Sequence, residues 1–455
     1  MNNTYEEKLG TESMLPLILK MALPAIAAQI VNLLYNLVDR IYIGHITGVG
    51  TDALAGVGLT SSIIILISAF SSIVSGGGAP LAAIALGKGD RDKAERILGN
   101  GFVMLAAFSL ITSSLSYAYM KPILIINGAS DATIGYSIDY LSIYLAGTVF
   151  VQIAVGLNMF INSQGRSGIA MCSVLIGAIL NIILDPLFIF ALNMGVKGAA
   201  VATVISQACS AAWVLVFLTS DKATLRLSYK YMKPDLKTIG SIFSLGVSPF
   251  VMASTESFVG LVLNSGLSRF GDIHVSALAI MQSAMQVVSV PLSGFAQGVV
   301  PILSYNYGHR NSSRVRQGFR ISLMFMFVLN FTATLIMMLF PSAVASVFSD
   351  DIRLIALVGQ VMPVFLAGML IFGLQRACQN TFVALGQAKI SLFIALLRKV
   401  LLLIPLALIL PNFMGVMGIY TAEAVADGTA AIICTIIFSI LFPRILKRCR
   451  GGVKA

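Results

Sequence analysis

The chain has 455 residues, 57% of them hydrophobic and only 11% charged, with a mean hydropathy of +0.91 and a net charge of +11. Soluble domains carry about a quarter of their residues as charges, so a water-soluble enzyme is excluded, and so is an extended disordered chain. The excess positive charge is spread over many short segments rather than gathered in one patch, which argues against a nucleic-acid partner.

The opening stretch MNNTYEEKLGTES carries Glu6, Glu7 and Glu12 and lacks the basic start of a secretory signal. Beyond it, apolar runs broken by Gly, Pro and charge predict twelve membrane spans. They cover 15–44, 53–86, 97–120, 136–163, 168–193, 197–219, 239–268, 275–307, 318–341, 353–384, 391–410 and 416–442. The expected fold is therefore an all-α polytopic membrane protein. A polar, basic stretch divides it into a first lobe over 1–219, a linker over 220–238, and a second lobe with a basic tail over 239–455.

Span 1 holds Pro24 and Asp39, with Arg40 beside it. A proline inside a helix removes a hydrogen bond and favours a bend, here in the helix that carries the acid. Span 2 ends in GAPLAAIALGKGD, a Pro-x6-Gly element. Span 5 reads NIILDPLFIF, which puts Asn181 and Asp185 one turn apart on one face, and Pro186 frees the carbonyl of Ile182 beside them. Span 6 carries Thr203. Counted from Gly48 and Gly195 in the loops, Asp39, Asp185 and Thr203 lie roughly 12–15 Å below one face at 1.5 Å per residue. An acid within a span is costly and marks a functional candidate. Two carboxylates, an amide and a hydroxyl at one depth suit a hard cation such as Na⁺, or a proton shared between the acids.

Span 7 places Glu256 near its middle, with no partner nearby in sequence. Met252, Gln282 and Met285 are expected with Glu256 around a substrate cavity, since flexible methionines suit varied apolar ligands. Span 10 contains Gln360, Gln375, Arg376 and Gln379 but no acid. Arg376, and Arg398 with Lys399 in span 11, are expected to snorkel toward the ends of their helices. Glu423 and Asp427, one turn apart in span 12, are expected to shape the outer mouth. Cys172, Cys209, Cys378 and Cys434 lie in apolar runs and Cys449 in the tail, without metal or redox spacing. Neither HExxH nor GxSxG occurs, so no enzyme activity and no cofactor are expected.

Counting span-end residues with the adjoining loop, the loops after even-numbered spans and the termini hold 22 of the 30 Lys and Arg residues, and loops after odd-numbered spans hold four, Lys121, Lys197, Arg269 and Arg353. The positive-inside rule then puts both termini in the cytoplasm. The halves also match each other. Pro24 aligns with Pro249, Asp39 with Asn264, the Pro-x6-Gly element with VVPILSYNYGHRN, and Gly195 with Gly415. An even number of spans per half gives both the same orientation, as in parallel-repeat transporters. The acids are not repeated, because Asn264 and Ile404 stand where Asp39 and Asp185 would. The ion site is expected in the first lobe alone.

These features resemble the multidrug and toxic compound extrusion (MATE) family, prokaryotic type, over essentially the whole chain. The resemblance rests on YNLVDRIYIGHITG, NIILDPLFIFALNMGVKGAAVAT, QGVVPILSYNYG and the repeated Pro-x6-Gly element. It implies a V-shaped, two-lobed exporter coupled to Na⁺ or H⁺. Coupling would be carried by the residues matching the family's first-lobe set: Tyr35, Asp39, Asn181, Asp185 and Thr203. Glu256 resembles a second-lobe glutamate of other members, but the span-10 aspartate that accompanies it is missing here. The reading is a monomeric efflux antiporter of the cell membrane, moving amphipathic, often cationic compounds by alternating access. The rival is a flippase or exporter of a lipid-linked or polar precursor. That rival calls for a strongly cationic cavity, against which the intramembrane acids count.

Overall fold

The protein was analysed as a computed structural model, which describes residues 5–451. Residues 1–4, where the reading of the start as free of a signal begins, and Lys454 of the basic tail lie outside the described residues. Every regular element among the described residues is helical. Eleven helices are long and apolar enough to cross a membrane: α1 Met14–Gly44, α2 Gly50–Gly87, α3 Arg91–Ala118, α5 Ser167–Ala191, α6 Val196–Thr219, α7 Leu236–Ser268, α8 Asp272–Gly308, α9 Ser312–Leu339, α10 Ile352–Ala384, α11 Ala388–Met414 and α12 Val416–Cys449. The twelfth span, α4, is the pair Ile134–Ala146 and Thr148–Ser163, bent by 58°. Gly147 at the bend is pressed against Val204 of α6, leaving no room for a Cβ.

Helices α3 and α9 begin about six residues before the apolar runs that predicted them. Asp90 accepts a hydrogen bond from the Lys93 amide (3.0 Å), and Asn311 one from the Arg314 amide (3.1 Å), so each caps its helix. The charged residues that follow ride on the first turns instead of forming loops. The caps are themselves repeated, since Asp90 and Asn311 follow Pro80 and Pro301 at the same interval.

The lobes meet through small residues. Gly294 and Gly298 of α8 sit against the backbone of Ala25–Ile26 and Met21–Ala22 of α1, so closely that a Cβ at either would collide with it. In the repeat, Gly298 corresponds to Gly77, just as Pro301 corresponds to Pro80. Gly77 presses on the Ile242 carbonyl and on Gly246 of α7. One seam is thus built twice, α1 on α8 and α2 on α7, with the close approach that small-xxx-small packing gives. At the basic face the N-terminal helix Tyr5–Thr11 is held by the second lobe: Asn306 Nδ2 and Arg314 Nη2 donate to the Leu9 carbonyl (2.8 and 3.1 Å), and Arg314 Nη2 also to that of Glu12 (2.8 Å).

The linker is pinned to the first lobe. Gln164 Oε1 accepts from the amides of Thr224 (2.8 Å) and Leu225 (3.0 Å), the Tyr231 hydroxyl donates to Asp92, and Asn100 Oδ1 accepts from the Asp235 amide (2.8 Å). Leu225, Leu227 and Tyr231 are buried beneath it. Elsewhere Leu110, Ile183, Leu261, Met324 and Leu408 point outward, as helices surrounded by lipid require.

Candidate functional site

Two polar constellations lie within the membrane spans, one per lobe. In the first, α1 packs along α5 and α5 along α6, which brings Asp39, Asn181, Asp185 and Thr203 together. Asp185 is fully buried and Asn181 nearly so, and Asp185 stands where α5 passes from α-helix into the π-helical turn Leu187–Ala191. Wide turns of this kind often mark functional sites. Asn181 Nδ2 donates to Asp185 Oδ1 (3.2 Å) and reaches Thr203 Oγ1 (3.5 Å). Asp39 lies within side-chain hydrogen-bonding reach of Asp185. Two carboxylates can share such a bond only when a proton sits between them.

The remaining valences decide what this site lacks. Asp39 Oδ1, Asn181 Oδ1 and Asp185 Oδ2 are all buried acceptors without a donor. Buried acceptors are nearly always satisfied, so three at one point suit a donor such as a proton or water, or a hard cation taking oxygen ligands. No ion pair joins Arg40 to Asp39 among the described residues. Around the set stand Tyr35, within reach of Gln207, and Tyr140, within reach of Thr203. Gln207 and Tyr140 were not among the expected residues. Both sit in otherwise ordinary apolar helices, and only the packing of α4 on α6 and of α6 on α5 brings them near the set.

In the second lobe a cavity of about 410 Å³ opens between the lobes. Ser75, Gly76 and Pro80 of α2 and Met159 of α4 form one wall, and α7, α8, α10 and α11 form the rest. Met252 and Glu256 are part of the lining. Gln282 and Met285 are not: α8 contributes Ser293, Ala296, Gln297 and Val300, two turns and more further toward the basic face. The cavity sits deeper than a count from the helix ends suggested.

The basic residues depart further from expectation. Arg376, Arg398 and Lys399 do not snorkel; all three line the cavity, and Arg398 and Lys399 are only 9% and 6% exposed. Nor do Glu423 and Asp427 shape a mouth. They are buried behind Arg398, whose Nε and Nη2 donate to Asp427 Oδ1 and Oδ2 (2.5 and 3.1 Å), with Nη2 also 3.5 Å from Glu423 Oε1. Fork-to-fork pairing of this kind makes a guanidinium tolerable inside a membrane protein, and sequence distance (about 25 residues or more) hid it. Glu256 does have a partner: Lys399 Nζ lies 3.3 Å from its Oε1, while 61% of its side chain stays accessible from the cavity. Arg398 and Lys399 occupy a second π-helical stretch, Leu397–Leu403. Arg376 alone meets no carboxylate at ion-pair distance among the described residues; it donates to Ser289 Oγ and Ser293 Oγ (both 3.2 Å). The lining therefore carries three cations and one acid, which removes the objection raised above to a cationic cavity.

Comparison with known proteins agrees with this architecture. The MatE family model matches residues 24–187 and again 249–409. Multidrug export protein MepA of Staphylococcus haemolyticus is 24% identical over 416 residues, 91% of each chain. MepA of Staphylococcus aureus is 23% identical over 424 residues, 93% of each chain. A crystal structure of MATE in the bent conformation superposes with a TM-score of 0.90 at 21% identity, over 99% of this chain and all of that one. A MOP superfamily transporter from Pyrococcus furiosus, for which reverse polarity of the binding pocket suggests a different function, gives 0.89 at 20% identity over 99% of each chain. The two matched segments fall one in each run of six spans, and on them the chain belongs to the multidrug and toxic compound extrusion family, a multi-pass membrane transporter built from two copies of the MatE unit.

Proposed function

We propose that this protein is a secondary active multidrug exporter, moving amphipathic small molecules outward in exchange for Na⁺ or H⁺ by alternating access. The observation that carries the coupling is the trio of donorless oxygens on Asp39, Asn181 and Asp185. A site that lacks one positive charge takes up an ion or proton, and the lobes respond because Asp39 rides on α1, which also forms the seam with α8. Thr203 and Tyr35 complete the set as a neutral ligand and an orienting hydroxyl. The transporter works as a monomer in the cell membrane, without catalytic residue or cofactor. The basic loops support both termini in the cytoplasm, and the contacts of Gly87 with Tyr305 and of Gly308 with Ile84 then lie on the cytoplasmic side.

The cationic compounds that the resemblance implies find no free acid in the cavity lining, because the Glu256 carboxylate already serves Lys399. One observation favours the second reading, export of a polar or lipid-linked precursor: the cationic lining of the cavity.

The test is dye efflux from proteoliposomes with Na⁺ and pH gradients imposed in turn. Asp39→Asn and Asp185→Asn are each expected to abolish gradient-driven efflux with insertion and yield near normal. Full transport by either variant refutes the first-lobe site.

A further inference from the structure

We propose that the inter-lobe cavity selects an amphipathic anion, an apolar body with one carboxylate or phosphate head, and that Glu256 is a built-in competitor which the head displaces from Lys399. The inference rests on reading this cavity as the substrate site. The argument begins with charge. Of the groups lining the cavity, Arg376, Arg398 and Lys399 are cationic and Glu256 alone is acidic. Asp427 and Glu423 stand behind Arg398, away from the cavity, and saturate its fork. Two cations then remain to be matched. Lys399 is held by Glu256 through contacts of 3.3 and 3.5 Å, lengths at which an ion pair is formed but not tight. Arg376 has serine oxygens and the face of the Phe372 ring, 5.4 Å from its Cζ, but no carboxylate at ion-pair distance among the described residues.

An incoming cation would meet Arg376, which no acid compensates at ion-pair distance among the described residues, and find the one acid of the lining engaged by Lys399. An incoming anion finds Arg376 unmatched by any acid. If it also takes Lys399, the Glu256 side chain, open to the cavity over 61% of its surface, has space to swing away. At the end the anion lies between Arg376 and Lys399, and Glu256, no longer paired, extends into the cavity. The remaining lining, among it Pro80, Met159, Met252, Phe372 and Val383, is apolar and gives the body of the molecule its surface.

The test uses purified protein in nanodiscs and three fluorescent analogues of one amphiphile, bearing a carboxylate, its methyl ester, or an amine. The carboxylate is expected to bind about tenfold tighter than the ester, the gain of one charge-assisted hydrogen bond in a desolvated site, and the amine weakest. Arg376→Gln should reduce carboxylate binding by about tenfold and leave the ester within about twofold, while Arg376→Lys retains part of the preference. Glu256→Gln should strengthen carboxylate binding severalfold, because the competitor is gone.

Nanodiscs of phosphatidylcholine and of phosphatidylglycerol separate the sources of the head. Loss of carboxylate binding in the anionic lipid, absent in Arg376→Gln, identifies a lipid headgroup as the occupant; equal binding in both identifies a free amphiphile. A preference for the amine, or carboxylate binding unchanged in Arg376→Gln, overturns the proposal. Weakened carboxylate binding in Glu256→Gln overturns the displacement. Met252→Trp fills the cavity, and undiminished binding of all three analogues to it would show that the cavity reading itself has failed.

Discussion

Arg398 offers the sharpest test of how the second lobe is held together. Its guanidinium makes two hydrogen bonds to Asp427 and one longer contact to Glu423, and its Cζ lies 4.1 Å from the centre of the Phe372 ring. Arg398→Met keeps much of the stem volume and removes the charge. What remains is two carboxylates, 1% and 4% exposed, with no cation at bonding distance. Breaking a buried pair from one side costs about 3–5 kcal/mol, and the lost ring contact adds about 1 kcal/mol. A total near 5 kcal/mol lowers the folding equilibrium by between about three and four orders of magnitude.

The triple variant Arg398→Met, Glu423→Gln, Asp427→Asn removes the stranded charges as well. Replacing a whole buried ionic cluster is often neutral or stabilising, so the triple variant should regain most of the loss. Unfolding in detergent micelles, followed by tryptophan fluorescence and by elution as a monodisperse species, measures both. A single variant within about 1 kcal/mol of the unaltered protein, or a triple variant no better than the single, would refute the assignment of this cluster as a charge-balanced strut.

The repeat predicts that Asn264→Asp gives no second coupling site, because Ile404 stands where the partner acid would be; restored efflux in the Asp39→Asn background would show otherwise. Gly298→Val forces a branched side chain into the α1 backbone and should lower stability by about 1–3 kcal/mol with loss of efflux; unchanged melting would mean the seam is looser than it looks. Gln164→Ala frees two linker amides and should speed proteolysis within 220–235, read by the time course of cleavage. Asp235 caps α7, and its carboxyl is held below the usual range, first by the Thr238 hydroxyl and also by the amides of Lys237 and Thr238. A depressed value means that the cap's contribution is present above the ordinary carboxylate pKa and is lost as pH falls through the lower folded one. Amide exchange in the first turn of α7 should therefore quicken on acidification, and Asp235→Asn should flatten that dependence.

What could be read from the sequence was what a one-dimensional period or a short spacing records. Span limits followed from apolar runs. Asn181 and Asp185 came together because four residues make one turn, and Asp39 joined them because depth can be counted from a loop glycine. Pairings across the fold were out of reach. Lys399 meets Glu256 from 143 residues away and Arg398 meets Asp427 from 29 away, across two helices whose facing sides no sequence pattern marks. The reading of Arg398 and Lys399 as end residues failed for a related reason: the π-helical stretch Leu397–Leu403 changes which way each side chain points, so a count at 100° per residue loses the face. Tyr140 and Gln207 carried no signal at all, since an isolated tyrosine or glutamine in an apolar helix looks the same whether it faces an ion or a neighbouring backbone.

The two halves began as copies and now divide their charges in opposite ways, and the division has a mechanical consequence. The first lobe keeps two acids with no base at ion-pair distance among the described residues, Arg40 acting on Asp39 only from further off, so on the proposed coupling its electrostatic balance depends on something that comes and goes. The second lobe has Asn264 and Ile404 in those places and instead carries a network in which nearly every charge has a partner inside the protein. A site that is incomplete by one charge responds to an ion gradient; a network that is nearly complete does not. On the proposed coupling the ion biases α1, while the cations and acid of the cavity belong mostly to the second lobe. Because α1 leans on α8 through Gly294 and Gly298, a shift of α1 reaches the cavity wall at Ser293 and Gln297 without any ion entering it. The proposed coupling then needs no shared site for ion and substrate, only the glycine seam between them.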